Sequence, residues 1–253
     1  VPTVMRDVVM LGMTVPSLLK DGRRSICAAA YHADHGLIRI YPCTAAMKLS
    51  RWNVYDFDLE RNPKDNRHES WKLTHSEQYS SSKLAPIQTK KITKPEDKLS
   101  ILSSLVVDCV SEVNDVRGSL CVVRPQTIIK TSFRENQPAQ TKSDMFGFVD
   151  SWLNTKSDYS HSPSIEFSCS DSCRIHHKMT VLEWGAYEWM RKHPGDGDRY
   201  WSNTNINKDG YETFLLLGNQ ANRRTSFIVI NVICIKTGKA LAIDSRRQIS
   251  LDI

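Results

Sequence analysis

The segment Thr225–Ile235 (TSFIVINVICI) constrains the fold more than any other part of the chain. It is dense in β-branched residues, which lose rotamer freedom in a helix and pack well on a pleated surface. The polar stretch Gly218-Asn219-Gln220-Ala221-Asn222 separates it from a second apolar run, Tyr211–Gly218. Two such runs joined by a tight polar turn predict a β-hairpin spanning Tyr211–Gly218 and Arg224–Ile235. The same texture recurs upstream. Val4–Met13 predicts a strand, and Ser25–Tyr31 and Leu37–Tyr41 bracket the turn-prone Asp34-His35-Gly36. Asn53–Leu59 alternates with period two, with Tyr55, Phe57 and Leu59 on one face and Val54, Asp56 and Asp58 on the other. Ser119–Val123 and Thr127–Phe133 flank Arg124-Pro125, and Ser164–Ser168 adds a further short strand.

Helical patterns are fewer. Pro95 followed by Leu99, Leu102, Val106 and Val110 predicts a helix over Glu96–Ser111. Thr180–Lys192 predicts a second, stopped by His193-Pro194-Gly195. Ser76–Lys94 and Glu135–Asp144 are polar and aperiodic and read as flexible surface. The chain is therefore expected to be mostly β with a few helices: two OB-like small β-barrels, residues 1–115 with a C-terminal helix and residues 116–253 with a Cys/His insert and a packed helix.

Composition excludes some roles. No apolar run approaches the roughly 20 residues of a bilayer-spanning helix, and Val1–Lys20 lacks a secretory signal pattern. A cytoplasmic location is the expectation. The formal charge of +6 is compatible with an anionic partner without requiring one. There is no glycine-rich phosphate cradle, no nucleophile elbow and no dinucleotide fingerprint.

Three constellations carry candidate chemistry. The first is Cys169…Cys173…His176-His177, which offers three of the four ligands of a structural zinc site. The fold would have to supply the fourth, from Cys121, Cys43 or His161. Cys27, Cys109, Cys121 and Cys234 lie in apolar stretches and read as small buried hydrophobes. The second is cationic. Strand parity turns Arg39 away from Ile38 and Ile40, and beside Tyr41 it pairs a guanidinium with a ring, the combination that holds a phosphate and a base. A salt bridge from Arg39 to Asp56 or Asp58 is the structural alternative. Arg61, Arg67, Lys72, Arg223 and Arg224 are further phosphate-binding candidates, and Arg246-Arg247 forms another basic pair. The third is acidic: Asp65 and Glu69, with Glu183 as a more distant addition, could hold a divalent cation for phosphodiester cleavage.

The motifs R-x-I-C-A-A-A, L-I-R-I-Y-P, R-N-P-x-D-x-R-x-E-S-W, S-L-C-V-V and C-x-x-x-C-x-x-x-H-x-M-x-x-x-E-W occur in that order. In this the chain resembles a poorly characterised prokaryotic group of dual-OB-fold-like proteins found near mobile-element and anti-phage defence genes. The resemblance rests on Cys27, Arg39, Tyr41, Pro42, Asp65, Arg67, Glu69, Ser70, Cys169, Cys173, His177, Glu183 and Trp184. It implies two small barrels, a nucleic-acid context and His177 rather than His176 as the third ligand. The group often carries Asp where this chain has Glu183 and an acidic residue where it has Gly185, a departure that weakens a catalytic role for this helix. The reading is a DNA- or RNA-binding accessory subunit without chemistry of its own, working beside a nuclease, helicase or transposition protein. A metal-dependent nuclease using Asp65 and Glu69, and a protein-only scaffold, are the alternatives.

Overall fold

The computed structural model describes residues 2–19, 22–74, 86–137, 153–170, 173, 175–220 and 222–237. The pair Arg246-Arg247 and most of Glu135–Asp144 lie outside them, as do residues 75–85. The chain is mostly β. Its first sheet is built from β1 (Thr3–Met13), β2 (Ser17–Leu18), β3 (Arg24–His32), β4 (Gly36–Cys43), β5 (Asn53–Arg61), β6 (Ser70–Leu73) and β7 (Ile87–Lys91). Five of these close on themselves in the order β1-β3-β4-β6-β5, with β5 returning to β1 through Val9↔Val54 and Met5↔Phe57. The β4–β6 pair is parallel and its barrel neighbours are antiparallel. The result is a small closed barrel of OB-like type.

Parity fills it. Val8, Met10, Ala28, Ala30, Ile38, Ile40, Phe57 and Leu59 point inward and form one buried core. The alternate residues Val9, Leu11 and Ala29 point outward, yet they too are buried, against Leu120, Val122, Phe214, Leu216 and Ile230. These belong to a second sheet, β14-β13-β9-β8, formed by β8 (Val106–Val107), β9 (Leu120–Val123), β13 (Tyr211–Gln220) and β14 (Arg223–Lys236). A third sheet orders β10 (Thr127–Glu135), β11 (His161–Ser168) and β12 (His177–Thr180). It meets the second sheet at a Val181↔Val229 bridge. The outer face of the barrel is thus an internal surface of the molecule. Gly12 marks the close approach of β1 to β14, since a Cβ there would lie 2.9 Å from the Cβ of Asn231.

Three expectations are corrected. The helix expected over Glu96–Ser111 is two helices, α1 (Pro95–Ser103) and α2 (Val110–Asp115), separated by strand β8. Val106 and Val107 are β-branched and pair in parallel with Val122 and Val123, which outweighs the helical spacing. The helix expected from Thr180 begins instead at Trp184, as α3 (Trp184–Lys192). Residues before it are drawn into sheet pairing, with Leu182 N–H donating to Val229 O at 2.7 Å. Finally, Ile87–Lys91, expected within a flexible segment, is strand β7 on the barrel edge beside β5. A short helix α4 (Gly197–Asn203), without a clear sequence signal, carries the buried Trp201.

Candidate functional site

The Cys/His insert gathers into a cluster. Cys169 follows β11, Cys173 lies on the next loop, and His177 opens β12. Cys109, immediately before α2, completes the set. One ligand atom from each of the four lies within 4.8 Å of all the others. The Cys109 and Cys173 Sγ atoms are 3.3 Å apart, and His177 Nε2 is 3.3 Å from Cys173 Sγ. Thiolates sharing one tetrahedral ion at ~2.3 Å sit roughly 3.8 Å apart, so the set needs to open only slightly around an ion. The His177 ring stacks on Phe167, with centroids 5.2 Å apart. His177, not the exposed His176, joins the cluster. Burial lowers the His177 pKa, which favours the neutral, ligating form. Burial also pushes the Cys169 thiol up, to about 12. At Cys109 burial acts in the same direction, but hydrogen bonds from Ser111 and Cys173 override it and lower the pKa. Three thiols and one imidazole in this arrangement could hold a metal ion.

The expected fourth ligands, Cys121, Cys43 and His161, are not in this set. Cys43 belongs to the barrel core, and Cys121 is a buried neighbour of the cluster. The apolar neighbours of Cys109 mark it in sequence only as a small hydrophobe. The turn out of β8 and the start of α2 bring it across to a loop about 60 residues away in sequence.

The second assembly lies at the seam between barrel and hairpin. Arg39 is on the outer face of β4, opposite Ala29, but it is only 4% exposed. Its Nη1 donates to Asn219 O at 3.0 Å and its Nη2 to Ser119 O at 2.9 Å. Arg67 is buried as well, donating through Nη1 to the same Asn219 O at 2.7 Å and through Nε to Asp65 Oδ1 at 2.8 Å. Asp65 also accepts from Ser70 Oγ at 2.6 Å. Burial alone would raise its pKa, but the bonds from Arg67 and Ser70 prevail and hold it at about 2. Glu69 Oε1 accepts the backbone N–H groups of Ser119 and Leu120. The seam is therefore a charged network joining the 61–71 loop to β9 and β13.

This network revises the placement of several candidates. Arg39 and Arg67 do not lie on an open surface, because the second sheet covers the outer face of β4. Nor does Arg39 pair with Asp56 or Asp58; its guanidinium bonds to backbone carbonyls of β13 and the β9 approach. Arg224 reaches Asn66 across the seam. Arg223 is exposed, with no carboxylate partner among the described residues. Arg61 and Lys72 are elsewhere. The Arg61 guanidinium lies 4.7 Å over the Trp71 ring and bonds to His68 O, while Lys72 pairs with Glu60 at 2.7 Å. The three carboxylates considered for cleavage are engaged separately. Asp65 faces Arg67, Glu69 faces the Ser119 backbone, and Glu183 accepts from Val232 N–H beside Arg51.

At the seam is a recess of 420 Å³ lined by Arg39, Tyr41, Arg67, Cys27 and Lys156 together with apolar side chains including Leu182 and Ile230. Sequence reasoning missed Lys156 altogether, since it lies in an unremarkable polar stretch far from the other cations.

Residues 4–101 match a family described as a domain of unknown function, DUF8758. No curated protein matches the chain. Among solved structures, the chain is similar to a murine DNA-binding protein determined with double-stranded DNA. That alignment covers 94% of this chain and 96% of the other, at 7% identity and a TM-score of 0.32. No helix among the described residues is long and apolar enough to cross a membrane.

Proposed function

We propose that the chain binds nucleic acid, DNA or RNA, as an accessory subunit with no chemistry of its own. The observation that carries this reading is the exposed Arg223 and half-buried Arg224 of the β13–β14 hairpin beside an OB-like barrel, next to a recess at the seam lined by Arg39 and Tyr41. OB-like barrels hold oligonucleotides by combining cationic grooves with ring faces. The exposed Arg223 and the half-buried Arg224 supply phosphate contacts on the hairpin, and Arg61 and Lys72 lie on a separate part of the barrel surface as secondary contacts. The Cys109–Cys169–Cys173–His177 cluster binds one structural zinc ion, which pins α2 to the β11–β12 loop. Thiolate-rich, closed four-ligand sets are of structural type.

The resemblance to proteins of defence and mobile-element neighbourhoods supports a role in a cytoplasmic complex beside a nuclease, helicase or transposition protein. Cleavage by the chain itself has less support, because Asp65, Glu69 and Glu183 each serve a different internal partner.

Fluorescence anisotropy with labelled single- and double-stranded DNA and RNA, from about 20 to 300 mM salt, tests the proposal. Affinity should fall linearly with salt on logarithmic axes through counterion release. Arg223→Gln and Arg224→Gln should each flatten that slope by about 1. Absence of affinity for every polymer at low salt would overturn the reading.

A further inference from the structure

We infer that the recess at the seam accepts a single phosphate-bearing nucleotide unit, either a free mononucleotide or the phosphorylated end of a strand. The inference rests on the nucleic-acid reading above and names the ligand that one part of the site would take.

The argument starts from Arg39. A buried guanidinium is costly unless a counter-charge and hydrogen bonds offset its lost hydration. Arg39 has no carboxylate partner among the described residues, and its Nε has no hydrogen-bond partner. The carbonyls it touches do not depend on it. Asn219 O also accepts from Arg67, and Ser119 O also accepts from the Asn219 N–H at 3.0 Å. Arg39 is therefore a buried cation without a direct ion pair, on which Asp65 and Glu69 act only through space. Arg67, by contrast, is neutralised by Asp65. On the rim stands Lys156, exposed and likewise without a carboxylate partner among the described residues. Arg39, which makes no direct ion pair, and Lys156 thus line one recess, and an anion in it would give the buried cation a direct partner.

The remaining walls define what carries the anion. Val15, Leu182, Ile228 and Ile230 form an apolar side. The exposed amides of Gln220 and Asn222 stand with them. An occupant must join a compact anionic group to a body with apolar faces and polar edges. A phosphate on a nucleoside has that character: the base lies on the aliphatic wall, its edge meets the amides, and the phosphate meets Arg39 and Lys156. A recess of 420 Å³ is in the range of small-ligand sites and suits one unit better than a run of them.

Isothermal titration of the full chain with nucleoside monophosphates, alongside short oligonucleotides with and without a terminal phosphate, tests this. Arg39→Met and Lys156→Gln are the variants; Lys156 is exposed, so the second folds even if the first does not. Monophosphate binding that weakens about tenfold or more in either variant supports the recess and identifies a free nucleotide as ligand. A tenfold preference for phosphorylated ends, lost in the same variants, supports it with a strand end as ligand. Monophosphate binding without any polymer binding retains the recess and overturns only the polymer reading. The recess proposal fails if neither monophosphates nor terminal phosphates matter, or if both variants leave such binding unchanged. Polymer binding that persists in that case leaves the broader reading standing.

Discussion

Arg39 and Arg67 donate to one carbonyl oxygen, that of Asn219, at 3.0 and 2.7 Å. Arg39 lies on β4 and Arg67 on the loop before β6, three residues ahead of Ser70, the register partner of Arg39, and both converge on the penultimate residue of β13. Their surroundings differ. Arg67 is locked to Asp65, whereas Arg39 has only carbonyls as partners.

That difference predicts an asymmetry in stability. Arg39→Met leaves no carbonyl unserved and removes a buried charge, so its unfolding free energy should fall within about 1 kcal/mol of the parent or exceed it. Arg67→Met strands the Asp65 carboxylate and should cost about 3 kcal/mol or more. Urea titration of both variants measures the two values, and equal losses would contradict the asymmetry.

Asp65 sets an acid limb. Its folded pKa, about 2, lies below the ordinary value of 3.8. A depressed carboxyl stabilises the fold above the unfolded pKa and loses that contribution as pH falls through the folded one. The contribution, about 2 kcal/mol, should be intact above pH 5 and vanish toward pH 2. In Asp65→Asn the stability should be lower at pH 7 and should lack this limb, which denaturant melts at stepped pH will show.

The metal cluster predicts which cysteines matter. Cys109→Ala should abolish binding of one metal equivalent, although Cys109 lies about 60 residues from its partners in sequence. Cys121→Ala, a buried neighbour outside the ligand set, should retain the metal and lose only packing, about 1–2 kcal/mol. Elemental analysis separates the two, and a chelator should lower the melting temperature of the Cys121 variant but not of the Cys109 variant.

Gly12 is sterically required where β1 meets β14. Its added Cβ would lie 2.9 Å from Asn231 Cβ, an atom held by the backbone that cannot swing aside. Gly12→Ala should therefore cost about 1–3 kcal/mol. It should also disturb the Arg51–Asn231 contact. Denaturant unfolding tests the cost, and a neutral result would mean that the two strands can separate locally.

The sequence by itself determined the local geometry. Period-two alternation placed Tyr55, Phe57 and Leu59 inside the barrel, set Arg39 opposite Ile38 and Ile40, and marked the β13–β14 hairpin. Cys169, Cys173 and His177 were legible as ligands because a short loop presents them together. These signals survive because side-chain direction along a strand is fixed by backbone sterics within a few residues. The tertiary structure decided what covers each face. Only it buries the outward Arg39 under Asn219, cuts the expected Glu96–Ser111 helix to admit a strand beside β9, and brings Cys109 to the metal cluster. Each of those outcomes depends on contacts between distant segments, whose packing overrides local propensity and leaves no periodic trace in the chain.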